Sequence, residues 1–282
     1  MTAPQFPVVL EHLGVLAVRG TEARKFLQGQ LSQDVLGLPA DRVAWAGLHN
    51  PQGRTLALLR LVPQGETDVL CVLPQALLAE TLLGLRKYLL RAKATLNDES
   101  ALWQIAGLAG DPLLPATPGS ARHEAGRILW RHASDGRVLV LEPRHAEAGA
   151  ATEAATATRL DWLRADIAAG LPELTSQTRG EFVAQMLNLD ALGGISFNKG
   201  CYTGQEVIAR AHYRGRVKRR AQRFALPAGA LPSPGESVTL ADGRSAQVLL
   251  AAPTSSNVEI LAVAPTIEGD TLALPLSYPL PE

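Results

Sequence analysis

The stretch GGISFNKGCYTGQEVIAR, Gly193 to Arg210, constrains the chain more than any other. Four glycines fall within twelve positions, a density that costs backbone entropy and has no use in an interior strand or helix. The pattern reads as a glycine-hinged loop that presents Cys201 beside Lys199 and opens a helix at about Gly204 or Gln205. An ammonium and a helix N-terminus both favour a thiolate. Cys201 therefore reads either as a nucleophilic, redox-sensitive or soft-metal-binding thiol, or as a small buried hydrophobe.

The only other cysteine, Cys71 in VLCVL, has apolar neighbours and reads as core. Two cysteines argue against a disulfide framework, fit a reducing cytoplasm and cannot by themselves build a four-thiolate metal site. The start of the chain lacks the basic and apolar segments of a secretion signal, and Arg60 breaks the apolar run TLALLRLV well short of a membrane span. A cytoplasmic protein with no membrane partner is expected.

With 282 residues, 46% of them apolar, the chain can fill two domains, or one large body with an appendage. Lys+Arg and Asp+Glu number 27 each, so any electrostatic function must come from local clustering. The Walker phosphate loop, the His-Glu-x-x-His zinc helix and the Gly-x-Ser-x-Gly elbow are all missing, which removes the usual support for NTPase, zinc protease and serine hydrolase chemistry. The six histidines are scattered singly.

GVLAVRG reads as a strand, followed by a helix capped by Thr21 with Phe26, Leu27, Leu31 and Val35 on its apolar face. Two strands around the turn Asn50-Pro51-Gln52-Gly53, the strand DVLCVL, and a long helix begun by Pro74 complete a β-α-β-β-β-α-β order. That order lacks the βαβ rhythm of a dinucleotide fold and favours a mixed sheet with helices packed on it, an α+β protein. DPLLPATPGSAR reads as a loop or subdomain joint near 111–122, followed by two strands around Ser134 to Gly136. The alanine-rich 145–170 reads as one or two helices ending at Gly170, or as a low-complexity linker. Beyond the linker LPAGALPSPGES, short strands, TLALPLSYP among them, suggest a small β-barrel over 216–282, set against an α+β region over 1–215.

Phe197, Tyr202 and Trp162 either stack on a flat heterocycle, with Asn198, Gln205 and Glu206 bonding its edge, or are ordinary core. Downstream, Arg210, Arg214, Arg216, Lys218, Arg219, Arg220 and Arg223 form a cationic strip with no acidic residue between Glu206 and Glu236. The strip suits an acidic ligand tail, RNA or an acidic partner protein; a solvated basic strand edge is the plain alternative.

The Gly193–Arg210 stretch, together with FLQGQLSQDV (26–35) and AAGLPELTSQTRGEFVAQMLNLDALGG (168–194), closely resembles the YgfZ family of folate-binding proteins. That family is similar to the glycine-cleavage aminomethyltransferase and is associated with maturation or repair of iron-sulfur proteins, including enzymes that modify tRNA. The resemblance implies mixed-sheet α/β subdomains around a central cavity for tetrahydrofolate, closed by a C-terminal β-barrel, with iron-sulfur client proteins as partners. Lys199, Gly200, Cys201, Tyr202, Gly204, Gln205 and Glu206 match its signature, with Cys201 and Lys199 as the functional pair, and Trp162 matches a tryptophan that lines the folate site. There are departures: Leu13 stands where some relatives have tryptophan, DIAAG (with Asp166 and Ala168) replaces the transferases' Arg-x-Glu-Ala-Gly, and Leu73 with Glu80 replaces their Asn and catalytic Asp. The resemblance thus implies a folate-dependent accessory protein, with a one-carbon transferase as the alternative, in which Glu80 or Asp166 would be the general base or iminium stabiliser.

Overall fold

The computed structural model describes residues 7–144, 153–215 and 217–281. His145, Arg216 and the start of the alanine-rich segment lie outside the described residues. The described residues build three antiparallel sheets. The first comprises β2 (Leu13–Arg19), β3 (Ala44–His49), β4 (Thr55–Gln64), β5 (Asp68–Pro74) and β6 (Thr95–Asp98) in the order β3-β4-β5-β2-β6. The second joins β1 (Val8–Val9), β7 (Trp103–Leu108), β8 (Ala121–Glu124), β9 (Arg127–Arg131) and β10 (Val138–Pro143) in the order β1-β7-β10-β9-β8. The third runs β11-β14-β13-β12, from β11 (Arg219–Pro227), β12 (Ser237–Thr239), β13 (Ser245–Pro253) and β14 (Asn257–Pro265).

The expected strand and helix order from Leu13 to Asp98 is present, with α1 (Ala23–Gln28) after β2 and α2 (Gln75–Leu89) after β5. The expected mixed sheet is not: every strand pair among the described residues is antiparallel. The reason lies in where α2 carries the chain. It joins β5 to β6, but β2 lies between them and is antiparallel to both. Thr21 does not cap α1 either; Glu22 stands at the cap, without a side-chain bond to the helix.

Because side chains alternate along a strand, the first sheet buries both faces. Leu16, Val18, Leu59, Leu61, Val69, Cys71 and Leu73 face one core with α1 and α2 residues, whereas Val15, Ala17, Val62, Leu70 and Val72 face another shared with Trp130, Leu139 and Leu141 of the second sheet. Cys71 is fully buried, which pushes its thiol up to about 12.

The third sheet is curled, and its edge strands β11 and β12 are not paired with each other among the described residues. The stretch TLALPLSYP adds no strand to it. Only an isolated bridge from Leu274 to Arg223 forms there, while the segment packs Leu276 and Tyr278 against Gly170. Gly170, at φ +75°, ends α3 (Glu153–Ala169) where the glycine pattern placed the stop.

Candidate functional site

The thiol loop is fastened to the segment that follows α1. Ser32 Oγ donates to the Gly194 carbonyl at 2.6 Å and accepts from the Gly47 N–H at 2.8 Å. Gln33 Nε2 donates to the carbonyls of Gly193 and Trp45. The Lys199 ammonium donates to the carbonyls of Gln28 and Leu31 at 2.5 and 2.6 Å and lies 4.9 Å from the centre of the Tyr202 ring. These carbonyls sit at and just past the end of a helix, where peptide oxygens lack intrahelical partners, so Lys199 serves α1 as a cap from a distance. Burial pulls its pKa down to about 8, against the attraction of Asp34.

Within the loop, Gly204 takes φ +80° and α4 (Gln205–Tyr213) begins at the next residue, as the pattern foretells. The Gln205 side chain turns back to accept the Tyr202 N–H at 3.1 Å, so that acceptor is spent on the loop itself. Cys201 is exposed and Glu206 lies exposed on the first turn of α4. Nothing lies within 4 Å of a side chain built at Gly200. Tyr202 is buried with Leu58, Ile208 and Leu250, which raises its hydroxyl to about 12, and Phe197 stacks on His212 with ring centres 3.8 Å apart.

Among the described residues, two sizeable cavities open between the sheets. The larger, about 610 Å³, is walled in part by Gln33, Asp34, Trp45, Trp130 and His132; the second, about 490 Å³, includes His12, Trp162, Asp166 and Glu173. Arg60 and Leu171 line both. None of Lys199, Gly200, Cys201, Tyr202, Gly204, Gln205, Glu206 or Phe197 lines either cavity. The link is indirect: the segment that Lys199 holds by its Gln28 and Leu31 carbonyls continues into Gln33 and Asp34 of the cavity wall.

Trp162 is 3% exposed and packs on Gly107, where a Cβ would meet its ring at 2.2 Å. His132 stacks on it at 5.2 Å and the Arg137 guanidinium lies 4.5 Å from its centre. Asp166 Oδ1 accepts from Arg137 at 2.7 Å and lies 3.0 Å from His132 Nε2. Burial opposes ionisation of Asp166, but Arg137, His132 and Arg60 together hold its carboxyl well below the usual range. Burial also lowers His132 to about 4, against the pull of Asp166. His132 is therefore neutral, and its buried Nδ1 has no hydrogen-bond partner among the described residues. Glu80, the other acid considered for transferase chemistry, pairs with Arg179 at 3.1 Å and lines neither cavity. Leu13 and Leu73 are buried in the cores on either face of the first sheet.

No family model matches the chain. Curated proteins do: it is 32% identical over 253 residues to the tRNA-modifying protein YgfZ of Escherichia fergusonii, covering 84% of this chain and 77% of that one. The YgfZ of Klebsiella pneumoniae is 33% identical over 250 residues, covering 84% and 76%. The chain belongs to the YgfZ family. The fold is that of the glycine cleavage system aminomethyltransferase T from Bartonella henselae, with TM-score 0.62 over 91% of this chain and 77% of the other at 13% identity.

Against the YgfZ resemblance, the structure brings the 26–35 and 193–210 stretches into contact and sets Trp162 in a cavity wall. It does not gather the described cations of the strip into one patch. Arg220 makes a two-point ion pair with Asp190, Arg223 pairs with Glu259, and Arg219 donates to carbonyls of Ser245 and Val263. Strand alternation turns these arginines onto different faces, which leaves Arg210, Arg214 and Lys218 exposed without ion pairs among the described residues. Arg60, His132, Arg137 and Trp45 escaped the motif reading. Arg60 had one signal, a lone cation inside an apolar strand.

Proposed function

We propose that this member of the YgfZ family binds a tetrahydrofolate in the paired cavities and presents Cys201 as a transient thiol in the maturation or repair of iron-sulfur proteins, tRNA-modifying enzymes among them. The observation that carries this reading is the shared segment 28–34, held at one end by Lys199 of the thiol loop and forming cavity wall at the other. Occupancy of the cavity thereby has a physical route to the position of the thiol.

The cavity residues suit a reduced folate. Trp45, Trp130 and Trp162 supply aromatic walls for a flat heterocycle, and Arg60 Nε and His132 Nδ1 are buried polar atoms without hydrogen-bond partners among the described residues. Phe197, Tyr202, Gln205 and Glu206 shape the loop beside it, with Gly200 and Gly204 as hinges. Two cysteines cannot hold a cubane cluster alone, and Cys71 is buried, so any such cluster contacted by Cys201 takes its remaining ligands from a client protein.

The test has two arms. Reduced folate should quench tryptophan fluorescence in a saturable titration. The wild-type gene, but not Cys201→Ala, should restore iron-sulfur enzyme activity to a strain lacking its homologue. Absence of saturable quenching would remove the folate, and full rescue by Cys201→Ala would remove the thiol.

A further inference from the structure

We propose that Arg60 is a carboxylate anchor, the residue that takes the acidic tail of a ligand at the junction of the two cavities. On the folate reading, on which this inference rests, that tail is the glutamate.

Arg60 is the only charged residue of β4, TLALLRLVPQ, and the strand register sets it directly across from Trp45 on one side and Val72 on the other. It is 7% exposed, and its guanidinium lies 4.2 Å from the centre of the Trp45 ring while lining both cavities. A cation taken this far from water is normally paired. The other buried arginines obey that rule. Arg131 donates to the carbonyls of Asp111, Leu114, Pro115 and Gly136, Arg137 pairs with Asp135 and Asp166, and Arg220 grips Asp190. Arg60 alone among them has no hydrogen bond or ion pair among the described residues, and its Nε is buried without a partner.

Nearby carboxylates are already engaged. Asp166 is held by Arg137 and His132, and Glu173 lies 3.5 Å from His12. Arg42 and Arg131 also line the larger cavity, so its lining carries three arginines against one carboxylate, Asp34. A planar fork of donors over an aromatic ring, facing open space and bonded directly to no carboxylate, matches one in shape and sign, although Asp166 and Glu173 act on it from a distance. The unpaired charge weakens the empty protein and is relieved only when the anion arrives.

The experiment compares a stable reduced folate, 5-formyltetrahydrofolate, with the same compound carrying a methylamide in place of glutamate, so that no carboxylate remains, on wild type, Arg60→Met and Arg60→Lys. Wild type should bind the intact compound about thirtyfold more tightly than the truncated one, Arg60→Met should bind both at the weaker level, and Arg60→Lys should fall between. The thermal midpoint of unliganded Arg60→Met should equal or exceed that of wild type, since a buried unpaired charge is gone. Wild-type affinity of Arg60→Met for the intact compound would overturn the anchor while leaving the folate reading in place. So would a lower unliganded midpoint in both variants, which would make the arginine structural. If wild type bound neither compound, the folate reading would fail and take the anchor with it.

Discussion

Gly204 of the thiol loop presses against Gly53 of the β3–β4 turn. A Cβ on Gly204 would stand 3.0 Å from the Gly53 Cα and 2.5 Å from the Asn50 carbonyl oxygen, and both glycines hold positive φ, +80° and +72°. The hinge of the loop is thus also its seat on the first sheet.

Gly204→Ala should therefore destabilise the fold by about 2 kcal/mol, through backbone strain and a contact that cannot relax onto a side chain. Gly200→Ala, in open space and without positive φ, is the control and should be near neutral. Urea midpoints of the two variants decide the matter; equal midpoints would contradict the seating.

Lys199→Met removes a charged donor from two carbonyls at the end of α1, and the expected loss is about 1–2 kcal/mol. Amide hydrogen exchange should rise together in 28–34 and 196–204, because one contact ties both segments. A rise confined to the thiol loop would show that Lys199 does not hold the cavity wall.

Acid should weaken the protein through two buried imidazoles. Burial holds His49 down to about 3 and His132 to about 4, while both titrate near 6.5 in an unfolded chain. The unfolded state then binds more protons as pH falls through 6.5, so this stability is complete above that value and drains away toward pH 4, by about 3 kcal/mol for each imidazole. His49→Gln should flatten the fall in urea midpoint between pH 7.5 and 4.5; an unchanged slope would exclude His49 as a contributor.

Breaking the Arg220–Asp190 pair with Arg220→Ala should cost about 3–5 kcal/mol, since it strands a buried carboxylate. An RNA contact made by the surviving cations, Arg210, Arg214 and Lys218, would show a log–log salt slope no steeper than about −3. A steeper slope in a filter-binding titration would mean that other residues carry the contact.

Period-two alternation, turn glycines and the thiol string were all legible from the residues in order, because each is a property of neighbours along the chain. They located β2 to β5, the Gly53 and Gly170 turns, the start of α4 and the family. Antiparallel pairing of β6 and the dispersal of the cationic strip were not legible, because each depends on which distant strand lies alongside. The same applies to the cavity wall. Nothing near Arg60 in the chain names Trp45, His132 or Trp162, yet packing of the first sheet on the second and on α3 sets them around the two cavities that Arg60 lines. Local backbone preference and side-chain alternation had already decided the elements; only the closing of sheets over long loops decided that a lone arginine would be buried without a partner.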